Sequence, residues 1–341
     1  MLKNPVRGFF SVGLSGAATA LAFGLALALG AARPAPGAPE IGQGITVRDG
    51  FGREVTLPVR PRRVVAYEAY EILPALGVTD RLVGISRYAK ARPFLHRLIP
   101  GLDALPAPGT GFSVELERLV TLRPDLVLTW AWRCEVAERI EAQGIPVLAV
   151  YPRSVGDVLR EIELLGRVFG REDRARQVVG RVRHTLRELE ARLAGVPAGG
   201  RPRVLFLWGR PDRVAGGTGV QADLIRLAGG TNVARDLPEL NPVVSQETIV
   251  AWQPDVVILW SNARYGPDDL AADPRWRRVP AVRHGRVFRA PRWYPWSPRL
   301  AALAVRYAAW LHPDRLPPDE AEAWIRDLHL DVFGVPPGPE T

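Results

Sequence analysis

Two kinds of residue in this 341-residue chain are spaced so that they could do chemistry. The first kind is aromatic. Apolar runs that read as strands end at Tyr67, Trp130, Tyr151, Trp208 and Trp260, and the last run is followed by Trp293, Tyr294 and Trp296. Just beyond these ends stand Glu68, Arg133, Arg153, Arg210, Arg264 and Arg292. Aromatic faces offer large rigid contact area with a polar tip. Arginine offers a planar fork for carboxylate, phosphate or other anionic oxygens. In open α/β sheets ligands bind beyond the carboxyl ends of the strands. Any one tryptophan at a strand end can simply plug the sheet edge. Their recurrence points instead to a cleft for a bulky, partly flat, anionic ligand.

The second kind is a pair of glutamates, Glu117 and Glu247, at equivalent positions of two similar stretches. A carboxylate pair could do acid–base work. Each, however, opens a helix, where the helix dipole favours a carboxylate. One surface role on each of two lobes fits better than one shared active site. Other catalytic signals are missing: there is no G-x-S-x-G, H-E-x-x-H or Walker motif. Gly216-Gly217-Thr218-Gly219 precedes a helix and could cradle phosphate, but without the G-x-G-x-x-G spacing it reads as a turn. Cys134 is the single cysteine, so no internal disulfide forms. The five histidines are far apart, and no metal site is expected.

The elements that must position these residues centre on a repeat. ERLVTLRPDLVLTW (117–130) aligns without gaps to ETIVAWQPDVVILW (247–260), matching Glu117, Val120, Pro124, Asp125, Val127 and Trp130. In each copy apolar residues at helical spacing are followed by Pro-Asp, which stops the helix. A Val/Leu/Ile run ending in Trp then reads as a buried parallel strand. Around the copies, strand and helix signals alternate over 45–153 and again over 200–335. That pattern predicts two Rossmann-like α/β lobes with mostly parallel sheets. Residues 154–196 carry no strand signal. Their second half has a thin apolar stripe (Ala175, Val178, Val179, Val182, Leu186, Leu189, Leu193) in a charged sequence. This predicts a single long rigid helix joining the lobes.

Composition bounds the function. Apolar content of 47% and charged content of 24% fit a globular protein. The formal charge is +9, spread over scattered arginines without a basic stripe, which argues against nucleic acid as a partner. Residues 1–38 combine a charged start, an uncharged Ala/Leu/Gly run and small residues before a Pro-rich patch, the layout of an export signal. The same run is long enough to be a membrane anchor. No cysteine lies near the junction for lipid attachment. The expected location is a periplasm.

The chain resembles the substrate-binding proteins of metal-chelate ABC importers, which handle iron–siderophores, haem and vitamin B12. The resemblance runs from Thr46 to Phe333 and is carried by RRVVAYEAYEILPALGVTDRLVGIS (62–86), LERLVTLRPDLVL (116–128), LIRLAGGTNVARD (224–236), VSQETIVAWQPDVVIL (244–259) and SPRLAALAVRYAAWLHP (297–313). It implies a class III periplasmic binding protein fold, no catalysis and no cofactor, and a monomer serving a permease and its ATPase. It also implies that Glu117 and Glu247 dock the permease. The vitamin B12-binding member is similar in placing a tryptophan at Trp130 and a tyrosine near Tyr88. This chain has Asn241 and Pro242 where an aromatic is expected, and more arginine around the cleft. Both differences favour an anionic iron chelate as cargo, with cobalamin or haem as the alternative. For haem, Tyr67, Tyr88 or Tyr294 could serve as axial ligand. A two-lobed nucleotide-sugar transferase or a surface adhesin remains as a reading of another class.

Overall fold

Each copy of the repeated stretch folds into the same joint. The helices Leu116–Thr121 and Gln246–Trp252 end three and two residues before Pro124 and Pro254. Arg123 and Gln253, which precede them, sit in the left-handed region at φ 46° and 42°. Proline disfavours right-handed helical geometry in its predecessor, so the helix stops there. The aspartate after the proline then reaches the next strand. Asp125 accepts the backbone N–H groups of Arg62 and Arg63 at 2.7 and 2.9 Å, and Asp255 accepts that of Arg203 at 2.8 Å. In return the Arg63 guanidinium covers the carbonyls of Leu122 and Arg123, and Arg203 covers that of Trp252. Carbonyls left open at a helix end are thereby satisfied.

These joints sit inside two matching sheets of the computed structural model, which describes residues 44–338. The leader or anchor expected at 1–38 lies outside the described residues. Among them, no helix is long and apolar enough to cross a membrane. A hairpin of β1 (Ile45–Arg48) and β2 (Glu54–Leu57) comes first. The first lobe then holds β3 (Val64–Ala66), β4 (Leu82–Ile85), a small ribbon of β5 (Gly109–Thr110) and β6 (Ser113–Val114), then β7 (Leu126–Trp130) and β8 (Val147–Val150). The second holds β9 (Arg203–Leu207), β10 (Thr231–Asn232), β11 (Val256–Leu259) and β12 (Val287–Arg289). The sheet orders are β4-β3-β7-β8 and β10-β9-β11-β12, parallel throughout. The repeat strands β7 and β11 hold equivalent places, pairing Leu126 with Val64 and Val256 with Val204. The two α/β lobes are those expected.

The connection differs in detail. It is two helices, Val155–Phe169 and Glu172–Leu193, because Gly170 takes a left-handed cap at φ 63°. The whole expected stripe on the second helix is buried, with Thr185 added to it. That stripe packs against Ile72–Leu76 of the first lobe and against Leu300–Leu311 and Pro318–Phe333 of the second. Arg174 reinforces the arrangement by donating to the carbonyls of Ala75 and Val332 on opposite lobes. The helix is thus a splint laid along both lobes. Two further differences matter below. The first helix after β3 begins only at Ile72, since Ala69 is left-handed at φ 58° and Glu68 and Glu71 turn inward. The short polar β10 carries no apolar signal. Asn232 fixes it by donating to the carbonyls of Ala215 and Gly216 at 3.2 and 2.7 Å.

If the joints hold the sheets as described, Asp125→Ala and Asp255→Ala should each lower unfolding free energy by about 1–3 kcal/mol. Urea titration should show a reduced midpoint with unchanged slope. An unaltered midpoint in both would remove the joints from the stability of the fold.

Candidate ligand-binding cleft

Strand alternation decides which strand-end aromatics meet. Val64 and Ala66, Leu126 and Leu128, Val204 and Phe206, Val256 and Ile258 all face one continuous core. Stepping on by two puts Trp130, Trp208 and Trp260 on that same face, and all three pack against this core. Val65 and Tyr67 fall on the opposite face with Leu119 and Val127. Tyr67 is buried there, its hydroxyl donating to the Pro108 carbonyl at 2.9 Å.

The result is a cleft of about 570 Å³ with walls from both lobes. Ten aromatic side chains line it: Tyr70, Tyr88, Phe112, Trp130, Trp132, Tyr151, Trp208, Trp260, Tyr294 and Trp296. Arg92 and Arg292 also line it, and no Asp or Glu does. Its floor is a chain of rings in mostly edge-to-face contact. Trp130 meets Trp296 at 5.0 Å, Trp296 meets Trp260 at 6.3 Å, and Trp260 meets Trp208 at 5.1 Å. Such contacts hold aromatic pairs in place. The first lobe supplies a lip that nothing covers: Tyr88, Phe112 and Trp132 are 56%, 48% and 55% exposed. Phe112 rides the tip of the β5–β6 ribbon, where Thr110 Oγ1 accepts the N–H groups of Phe112 and Ser113 at 3.3 and 3.2 Å. Gly109 permits this turn, because a Cβ there would lie 2.1 Å from the Ser113 carbonyl oxygen.

Beneath the floor a buried polar seam ties the lobes together. The Tyr294 hydroxyl lies 2.6 and 2.7 Å from the two Glu68 oxygens. Ser297 Oγ donates to Glu71 at 2.8 Å, and Arg299 Nη1 approaches the same carboxylate at 3.5 Å. Arg299 Nε donates to His329 Nε2 at 3.0 Å, while His329 Nδ1 donates to the Ile325 carbonyl at 2.7 Å. Burial, with Arg299 beside it, pushes the His329 pKa down to about 3, so the ring is neutral. Arg92 lies over the rings of Tyr294 and Tyr70 at 4.8 and 5.5 Å and donates to the Arg292 carbonyl at 3.3 Å. Burial pushes Glu68 up to about 7 against the lowering effect of Tyr294. Glu161, on the Val155–Phe169 helix, is raised well above the usual range by burial and then by Glu68 and Asp157, and its Oε1 has no partner.

Of the residues predicted from sequence, the fold gathers Tyr88, Trp130, Tyr151, Trp208, Trp260, Arg292, Tyr294 and Trp296 at the cleft. Arg133, Arg210, Arg264, Trp293 and Tyr67 are not among its lining residues. Arg133 caps the Cys134–Glu141 helix beside a separate surface hollow. Arg210 is paired with Asp212 at 2.6 Å, and Arg264 is exposed. Trp293 turns into the core against Arg299, Arg306 and His329. Sequence reasoning missed Tyr70, Arg92, Phe112 and Trp132. Trp132 had a signal, since it stands two residues past Trp130. Tyr70 and Arg92 lie on no strand end and had none. Glu117 and Glu247 are both exposed, one on each lobe, in the first turns of their helices.

Two parallel-sheet lobes with a helical splint and a ligand-sized cleft between them define a bilobal binding protein. Residues 64–293 match the Periplasmic binding protein family, and the chain belongs to it: these are the substrate-binding proteins of ABC importers that the sequence resembles. The molybdate-binding protein MolA of Haemophilus influenzae is 27% identical over 318 residues, spanning 84% of this chain and 90% of its own. A vitamin B12-binding protein of Photorhabdus laumondii is 23% identical, spanning 60% of this chain and 72% of its own. The structure of Helicobacter pylori Ceue with Ni(II) bound superposes with a TM-score of 0.78 at 21% identity, covering 85% of this chain and 96% of that one. The chain is therefore a substrate-binding protein and not an enzyme, and its family implies a periplasmic location.

The seam makes stability depend on pH. A carboxyl whose pKa rises on folding contributes stability while protonated and loses it as pH climbs. For Glu68 the window runs from its ordinary 4.5 to about 7. Denaturant titrations should show stability falling across that window, and less steeply in Glu68→Gln. Glu161→Gln should raise stability at pH 8 while changing it little at pH 4. Identical pH profiles for wild type and both variants would contradict the assignment.

Proposed function

We propose that this protein captures a bulky anionic metal chelate, a ferric siderophore first, and delivers it to a membrane permease driven by an ATPase. One observation carries the reading: ten aromatic side chains and two arginines line the cleft, and no carboxylate does. Pockets of this size suit ligands with many atoms. Aromatic walls favour a flat or aromatic chelate, and arginine favours its negative charge. Cobalamin or haem is the alternative within the same geometry, with Tyr88 exposed at the lip as an available oxygen ligand. Molybdate, the cargo in the name of one relative, is a second reading. A free tetrahedral oxyanion would occupy a small part of the cleft and leave most ring faces in water.

Tryptophan fluorescence tests the assignment. Ferric siderophores of several classes, haemin, cobalamin and molybdate are titrated in turn. A coloured chelate should quench saturably, since Trp130, Trp208, Trp260 and Trp296 surround it. Trp130→Ala and Arg292→Ala should weaken that binding about ten- to a hundredfold. Arg210→Ala and Arg264→Ala should leave it unchanged. Saturable binding of molybdate alone would overturn the chelate reading.

Delivery is assigned to Glu117 and Glu247, whose exposure on separate lobes suits contact with two permease subunits. Ser245 holds the Glu247 carboxyl below its usual range, so it is charged at neutral pH. The double variant Glu117→Ala/Glu247→Ala should keep wild-type ligand affinity and lose stimulation of the transporter ATPase. An equal loss of affinity would show that the two carboxylates serve the cleft instead.

A further inference from the structure

The Gly216–Gly219 stretch divides into two halves with different roles. The N–H groups of Gly216 and Gly217 donate to the carbonyls of Leu240 and Leu237 at 3.1 and 2.7 Å. A Cβ on either would lie 1.8 or 2.0 Å from the carbonyl oxygens of Glu239 and Arg235. These two glycines serve close packing of a turn. The second half opens the Val220–Leu227 helix, and it faces the cleft: Thr218, Gly219, Val220 and Gln221 all line it.

That helix end is left without a cap. Gly219, at φ 105°, has no side chain to accept from the first turn. The N–H groups of Val220, Gln221 and Ala222 have no acceptor among the described residues. Independently, Gln221 is only 3% exposed, and its Nε2 has no partner. Its Oε1 is engaged by the Tyr307 hydroxyl at 3.4 Å. The buried Trp208 Nε1, from the same lobe, is also unmet, and Trp208 lines the same cleft. Buried polar groups without partners are rare in folded proteins. All the unmet groups named here are donors, Val220, Gln221 and Trp208 all line the cleft from the second lobe, and a helix N-terminus adds partial positive charge.

We propose that the N-terminus of the Val220–Leu227 helix and the Gln221 side-chain amide form an anion subsite, which binds an oxyanion group such as carboxylate or phosphate. The inference deepens the cleft reading above by placing the cargo's negative group on the second-lobe wall. The anionic oxygens have two possible sources. They belong to a substituent of a larger chelate, or to a free oxyanion that is itself the cargo.

Backbone and side-chain amide resonances of the purified protein, followed during titration with inorganic phosphate, sulfate and molybdate, test the subsite directly. Saturable shifts are expected at Gly219, Val220, Ala222 and both amides of Gln221. Gln221→Glu keeps the size and the Tyr307 contact but places a carboxylate at the site. It should weaken the response at least tenfold, whereas Gln221→Leu should weaken it less and retain the backbone shifts. No shift at these groups with any of the three anions would overturn the subsite. The source follows from competition against whichever chelate quenches tryptophan fluorescence. Competitive displacement by the anions, with chelate affinity lowered in Gln221→Glu, assigns the subsite to a chelate substituent. Chelate binding indifferent to both, together with no amide shift from any of the anions, would refute the subsite and leave the chelate function standing. Amide shifts saturating with molybdate at micromolar concentration, with no chelate bound, would support the subsite and refute the chelate function.

Discussion

The polar seam between Glu68, Glu71, Arg92, Tyr294, Ser297, Arg299 and His329 is the contact on which the site geometry depends. It joins segments more than two hundred residues apart, and it lies directly under the ring floor. Buried charges of this kind are weak sources of stability, because desolvation offsets most of the attraction. What they supply here is position. A purely apolar interface between lobes could slide, whereas Tyr294 meets both oxygens of Glu68 and Ser297 meets Glu71 in one arrangement only. Tyr294 belongs to seam and cleft at once, so the lobe–lobe register and the shape of the floor are one constraint.

On that base the two lobes contribute different chemistry. The first gives the exposed lip of Tyr88, Phe112 and Trp132 together with Arg92. The second gives the uncapped helix end, Gln221 and Trp208. Their common form is visible in the joints, where Asp125 and Asp255, with Arg63 and Arg203, repeat the same hydrogen bonds. Similar scaffolds thus carry unlike walls: both bear aromatic faces, but an exposed lip stands on one side and an uncapped helix end on the other.

Much of this was legible from residue order. The repeat exposed the two lobes because Pro-Asp stops a helix wherever it stands, and the Val/Leu/Ile runs behind it can only be buried strands. The seven-residue apolar stripe on the connecting segment is legible as a buried face, yet its partners are not. Periodicity reveals that a face is buried, never against what. Tyr67 falls on the other sheet face because parity as well as the strand end decides where a side chain goes, and beyond the last strand Trp293 turns into the core while Tyr294 and Trp296 reach the cleft. Arg210 illustrates a different blindness. A guanidinium two residues from an aspartate satisfies itself locally, and only geometry reveals the pairing. Arg92 and Tyr70 enter the cleft through tertiary packing alone, so no local pattern could have announced them.

The ring floor has a kinetic consequence. Because Trp130, Trp296, Trp260 and Trp208 brace one another, the cavity exists before any cargo arrives, and little ordering accompanies capture. Arrival is then governed by diffusion into a ready mouth, while residence time is set by how slowly the braced rings let go. A container that is already shaped when empty does not relax to expel its contents. Release faster than that spontaneous rate would require the walls of the cleft to be moved apart.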